Sequence, residues 1–250
     1  MDLSRDGWSI AQKYVSSLDK VKPARSLSEL RSIIGTFNWQ RRFIGGYTEL
    51  VQPLFKLLKQ KKGSVKDNWN EDHDKALKNL KLAMTLSPVL RHPDYSKPFE
   101  LYCDASNYGI GGVLVQEVEG HKHPIGCFSR MLRQAEVHYS VPVKEALGLV
   151  EATEHFRPFV YGYDLTIFTD QLSLIWLMEH CHPSRFTRYR ERIAPFNAKI
   201  KYIQGKKNPA DFFSRECAKV AIVTDKMQEL FRARILEGRD GGKGRFVSRM

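Results

Sequence analysis

The sequence predicts an α/β fold, a mixed five-stranded sheet with flanking helices, preceded by a small all-α domain. Three observations lead there. From position 97 to 215, short apolar and β-branched runs alternate with helical patterns, in the order strand, strand, strand, helix, strand, helices, strand. The first three runs, Phe99–Asp104, Gly111–Val118 and His123–Phe128, are joined by connections too short for a crossover and read as an antiparallel meander. A helical stretch from Ser140 to Tyr161 then leads to Leu165–Asp170, and a right-handed crossover sets that strand parallel to the first.

Residues 1–25 show little periodicity and are expected to form a flexible leading segment. Ser26-Leu-Ser-Glu29 has the form of a capping box, in which hydroxyl and carboxylate satisfy unpartnered N–H groups at a helix start. Leu27, Leu30, Ile33, Ile34 and Phe37 follow at helical spacing as one apolar stripe. Trp39, Arg41, Arg42 and Phe43 interleave bases with aromatics. That mixture suits a helix end with its rings in the core, or a surface on which Arg41 and Arg42 track a nucleic-acid backbone. Gly45-Gly46 closes this helix, and Leu50, Val51, Leu54, Leu57 and Leu58 mark a second. Asn70 opens a third, with Glu71, Asp72 and Asp74 at its start and Lys75, Lys78 and Lys81 beyond, a polarity that complements the helix dipole. The all-α domain spans 26–92.

Within the second domain, acids recur at the ends of elements. Asp104 closes the first strand, ahead of a turn over 105–109; Glu145 sits in the first turns of the long helix, where Ser140 can cap and Pro142 is tolerated; Asp170 closes a run beginning at Asp164. Asp211 follows Gly205-Lys-Lys-Asn-Pro-Ala, after a last strand-like run Ala198–Ile203. Singly, each has a plain structural reading: a solvated strand end, or a helix-start charge contributing a few tenths to about 1 kcal/mol. Together, two strand ends, a helix and a loop would bring together carboxylates that repel one another unless divalent metal neutralises them, and hard oxygen donors suit Mg²⁺ or Mn²⁺.

The residues Phe99 to Ser106 (FELYCDAS), Gly109 to Gln116 (GIGGVLVQ), Ser129-Arg130, Tyr139-Ser140, Lys144-Glu145, Phe168-Thr-Asp170, Gly205 to Asp211 and Ser214-Arg215 closely resemble the ribonuclease H domain of gypsy-type LTR retrotransposon reverse transcriptases. The resemblance extends from about Lys22 to Arg215. Leu30 to Asn38, Arg41-Arg-Phe-Ile44, Gln52-Pro-Leu54, Pro88-Val-Leu90 and His92-Pro-Asp94 resemble the segment joining polymerase thumb to ribonuclease H in that family.

This resemblance implies a ribonuclease H-like fold at 97–215, a two-ion Mg²⁺ site, with Mn²⁺ as a substitute, and Asp104, Glu145, Asp170 and Asp211 as metal-binding catalytic residues. It implies endonucleolytic hydrolysis of the RNA strand of an RNA–DNA hybrid, recognised by backbone shape and 2′-OH. Asp104 would bridge both ions, Glu145 and Asp170 would hold the ion at the leaving group, and Asp211 the ion that activates water. Two features depart from the pattern. Gln171 stands where many relatives carry histidine, and the chain contains no Asp-Asp pair, so polymerase activity is not expected.

Charge is distributed accordingly. The net +12 divides into +7 over residues 1–100, −5 over 101–180, +7 over 181–210 and +3 beyond, an acidic centre between basic flanks. Arg185, Arg188 and Arg192, at helical spacing, could share a phosphate-gripping face, and Lys206 and Lys207 stand beside Asp211. Cys103, Cys127, Cys181 and Cys217 are widely spaced with no C-x-x-C pair, which argues for reduced thiols rather than a zinc site. No apolar run approaches the ~18 residues of a membrane span, so a cytoplasmic or nuclear protein is expected, with a hybrid and other polyprotein domains as partners and no membrane. Residues 216–250 read as weakly helical, then as a flexible basic tail.

Three other readings stay open on sequence alone. A module without catalysis could keep nucleic-acid or protein binding only. An integrase or transposase core would share fold and metal chemistry, but orders its acids Asp, Asp, Glu. A scaffolding domain would not require acids to converge.

Overall fold

A computed structural model describes residues 1–5, 7–60, 63–180 and 185–204. The expectations for Asp211, Lys206, Lys207, Cys181, Cys217 and the 216–250 tail lie outside the described residues.

The leading segment differs from expectation. It carries strands β1 (Asp2–Leu3) and β2 (Gly7–Ser9), helix α1 (Gln12–Ser17) and a 3₁₀ turn at Leu18–Lys20. Ile10, Leu18 and Ala24 are buried in the core of the helical domain. Elements of two to six residues are too short to show a period, so the anchoring apolar residues leave no pattern in the sequence.

Helix α2 (Leu27–Trp39) starts as its sequence dictates: the Ser26 hydroxyl accepts from the Glu29 N–H at 3.2 Å. The Glu29 carboxylate reaches one residue further back than a capping box requires, accepting from the Arg25 N–H at 2.7 Å. A 3₁₀ turn over Arg41–Phe43 and a left-handed Gly46 (φ 62°) lead into α3 (Tyr47–Lys59). After the short α4 (Val65–Asn68), α5 (Glu71–Thr85) is capped by Asn70, whose side chain accepts from the N–H groups of Asp72 and His73. His73 Nδ1 returns the bond, accepting from the Asn70 N–H at 3.0 Å. Leu30, Phe37, Leu54 and Leu80, each fully enclosed, tie α2, α3 and α5 into one core. Strand β3 (Leu90–Arg91) then pairs with β2, so the chain's first residues are held against the link between the domains.

The second domain contains β4 (Phe99–Ala105), β5 (Gly109–Val118), β6 (His121–Met131), α6 (Val141–His155), α7 (Arg157–Val160), β7 (Leu165–Thr169), α8 (Leu172–His180), α9 (Arg185–Ile193) and β8 (Ala198–Tyr202). The five-stranded sheet has the order β6-β5-β4-β7-β8. β4, β5 and β6 pair antiparallel, while β7 lies parallel to both β4 and β8, as the right-handed crossover requires. The long helix is divided at Phe156, because Pro158 cannot donate the backbone bond that would continue α6. Pro142 occupies the first turn of α6, and the Ser140 hydroxyl makes no capping bond. Cys103 and Cys127 are buried. Among the described residues no helix is long and apolar enough to cross a membrane.

The two domains meet where α3 begins. The Thr48 N–H donates to Ser129 Oγ at 3.0 Å and the two hydroxyls are hydrogen-bonded; one residue on, Glu49 accepts from Ser106 Oγ at 2.7 Å. Gly109 makes this approach possible, since a Cβ there would stand 2.4 Å from Thr48 Cγ2.

Candidate active site

Asp104 is the penultimate residue of β4, paired across the ladder with Gly111 on β5. On the other side, β4 and β7 run parallel with Phe99 opposite Leu165 and Tyr102 opposite Phe168. Continuing that register sets Asp104 beside Asp170, which follows β7 immediately and is exposed. Neighbouring parallel strands lie about 4.8 Å apart, so both acids leave the same sheet end together. The continued register places the backbone of Asp104 and Asp170 at one end of the sheet.

Glu145 arrives from α6, which packs on β4 and β5. The approach depends on small residues: a Cβ on Gly148 would be 3.5 Å from the Asp104 carbonyl, and one on Gly112 would be 3.0 Å from Ala152 Cβ. One turn before Gly148, Glu145 is 6% exposed. Its carboxyl is pushed up to about 8, first by burial and then by the charges of Asp104 and Asp170, while a hydrogen bond from the Ala105 backbone N–H opposes the rise. A helix-start charge in water would show no such perturbation. Here burial, and after it the nearby charges of Asp104 and Asp170, favour the protonated form. Burial also raises the adjacent Cys103 thiol, with Glu145 and Asp104 adding to the effect.

The donor chemistry suits a hard divalent cation, because Asp104, Glu145 and Asp170 offer oxygen only and their mutual repulsion is relieved by positive charge. Among the described residues no group of three or more His, Cys, Asp or Glu side chains is arranged to hold an ion. Asp211, expected as the fourth acid, lies outside the described residues.

Asp104 and Glu145 open into a cleft of about 1090 Å³ whose opposite wall is the helical domain. Glu49 and Lys56 from α3 and His73 and Lys75 from α5 line it, with Lys144 on the near side. These residues were not among the sequence-derived candidates. Their positions follow from domain packing, and the only local signal was the 49, 52, 53, 56 spacing of one α3 face.

The basic candidates divide. Arg188 is exposed on α9, and Arg185 is exposed with its guanidinium 3.9 Å from the Tyr139 ring centre. Arg192, expected on their phosphate-gripping face, instead ion-pairs with Glu151 at 3.1 Å and with Glu154, fastening α9 to α6. Arg130 extends this network, pairing with Glu151 at 3.2 Å and Glu136 at 2.8 Å. Arg41 and Arg42 are exposed but line a second cavity, away from the acid-lined cleft.

The family described as "RNase H-like domain found in reverse transcriptase" matches residues 69–167. The chain is 35% identical over 189 residues to the retrovirus-related Pol polyprotein from transposon 297 of Drosophila melanogaster, covering 75% of this chain and 17% of that protein. It is 32% identical over 220 residues to the transposon Tf2-3 polyprotein of Schizosaccharomyces pombe, covering 85% and 16% respectively. The chain thus spans about a sixth of the length of these relatives. Its fold is similar to the foamy viral protease-reverse transcriptase solved in complex with RNA/DNA hybrid, at a TM-score of 0.65 and 19% identity over 81% of this chain and 28% of that one. It is also similar to a second form of that enzyme solved in complex with double-stranded DNA, at 0.64 and 20% identity over 79% and 35%. Residues 69–167 therefore match the RNase H-like domain found in reverse transcriptase, in a chain similar to retrotransposon Pol polyproteins.

Proposed function

We propose that this chain is a metal-dependent ribonuclease H-type endonuclease that hydrolyses the RNA strand of RNA–DNA hybrids, as one part of a larger polyprotein. The observation that carries this reading is Glu145, a carboxyl pushed up to about 8 by burial first and then by the charges of Asp104 and Asp170. Asp104, Glu145, Asp170 and Asp211 would hold two Mg²⁺ ions, with Mn²⁺ as a substitute. When bound, the ions supply an activated water and stabilise the leaving 3′ oxygen without a protein nucleophile.

The chain's own residues have distinct roles. The Ala105 N–H orients the Glu145 carboxylate, and burial beneath α6 keeps bulk water from competing for its oxygens. Ion binding would draw the proton from Glu145 at neutral pH. Arg185, Arg188, Lys206 and Lys207 would contact phosphates and fix the hybrid's register without reading sequence. Arg192 is withdrawn from that set by its ion pairs. The foamy viral relative solved with an RNA/DNA hybrid supports the choice of substrate. Polymerisation is not proposed, since the chain has no Asp-Asp pair.

A second reading is nucleic-acid binding without hydrolysis, since among the described residues no group of three or more His, Cys, Asp or Glu is arranged to hold an ion. One assay separates the two. A hybrid with labelled RNA is incubated with the chain and Mg²⁺, beside Asp104→Asn and an EDTA control. Cleavage by the parent alone supports the nuclease. Hybrid retention with no cleavage by either protein supports the binding module, and equal cleavage by both removes Asp104 from the chemistry.

A further inference from the structure

The second cavity, of about 750 Å³, lies between the helical domain and the β6, α6 and α7 side of the sheet. Its lining includes Arg41, Arg42 and Arg91 and contains no Asp or Glu, whereas the first cleft is lined by Glu49, Asp72, Asp104 and Glu145. None of the three arginines forms an ion pair among the described residues. Desolvation first, and then the charges of Arg41 and Arg42, hold the His155 imidazole that lines the cavity below the ordinary histidine range. Three unneutralised guanidinium groups around one concavity favour a polyanion.

Aromatic faces complete the lining. Trp39, at the last turn of α2, is 69% exposed and has no ring contact or cation partner among the described residues. Trp8 is also exposed but fixed: its Nε1–H donates to His92 Nδ1 at 3.0 Å, and His92 Nε2 bonds the Ser4 carbonyl at 3.1 Å. Indoles held open to solvent beside arginines form a surface on which flat, anionic units can stack while their phosphates are neutralised. Bases inside a duplex are already stacked on their neighbours and present only their edges, so faces free to stack on these indoles belong to unpaired bases.

We propose that this cavity is a binding site for single-stranded nucleic acid, with bases stacked on Trp39 and Trp8 and phosphates on Arg41, Arg42 and Arg91. The site is separate from the acid-lined cleft and does not depend on the nuclease reading.

The test uses the full chain, EDTA and a fluorescein-labelled oligo-dT, which contains no RNA to cleave. Anisotropy reads affinity, and its salt dependence reads phosphate contacts. Trp39→Ala should weaken binding about tenfold or more, in keeping with the loss of a stacked base. Arg41→Ala with Arg42→Ala should weaken it similarly and reduce the slope of log K against log salt by about 1.4, at about 0.7 per phosphate for single strands. Lys13→Ala with Lys78→Ala removes the same charge elsewhere and should change affinity less than threefold.

Unchanged affinity in Trp39→Ala, or an equal loss in the lysine control, would overturn the proposal. So would a labelled polyglutamate peptide that binds as tightly as oligo-dT and is lost with Trp39→Ala, since the site would then be a peptide site. Should the arginine pair fail to fold by circular dichroism, Trp39→Ala decides alone, because that side chain is solvent-facing. Hybrid cleavage by the same preparations reports on the nuclease reading separately.

Discussion

Replacing Glu145 by glutamine should make the ion-free protein more stable as pH rises, and the structure sets the size of the effect. The native carboxyl titrates at about 8 against an ordinary value of 4.5. Between those values the native state binds a proton that the unfolded chain has released, so stability is lost as pH climbs through the window. At about 1.4 kcal/mol per pH unit, the full loss approaches about 5 kcal/mol above pH 8 and about 3 kcal/mol at pH 7. A domain has only about 5–15 kcal/mol in total, so the difference is large enough to measure by urea unfolding. The assay compares parent and Glu145→Gln in EDTA from pH 5 to pH 9. The variant's advantage should grow by several kcal/mol across that range, and saturating Mg²⁺ should flatten the parent's slope. Curves that stay parallel within about 0.5 kcal/mol would refute the claim that Asp104, Asp170 and burial act together on Glu145.

Gly109→Ala should destabilise the chain by about 1–3 kcal/mol in thermal unfolding, because the new methyl meets the stiff, β-branched Thr48 at 2.4 Å where the domains join. Arg192→Ala should cost about 1 kcal/mol, a modest figure because the pair is partly solvated, and should leave hybrid affinity unchanged in an anisotropy titration. Arg188→Glu should instead weaken hybrid binding at low salt and flatten its salt dependence, leaving the melting temperature unchanged.

Which parts of this arrangement the sequence disclosed follows from the range of the interactions involved. Asp104 and Asp170 were legible because each ends an apolar β-branched run, and the handedness of the crossover then sets them side by side. Glu145 was legible as an acid in a helix start, but its burial was not: that depends on Gly148 and Gly112 admitting α6 close to the sheet. Arg192 was misplaced because spacing along one helix shows which residues share a face and not what the face meets. Its partners Glu151 and Glu154 lie about forty positions earlier. The cleft wall of Glu49, Lys56 and His73 was missed for the same reason, and His73 was hidden further because its ring takes the capping role usually read from Glu or Gln.

The central claim is that the acids at the open end of β4 and β7 and on α6 form one cation site. Titration of the full chain with Mn²⁺, read by electron paramagnetic resonance as loss of free-ion signal, measures this directly. The account predicts Mn²⁺ binding that Mg²⁺ displaces, that releases protons at pH 7, and that weakens at least tenfold in Asp104→Asn. Equal Mn²⁺ binding by parent and Asp104→Asn, or none by the parent, would contradict it.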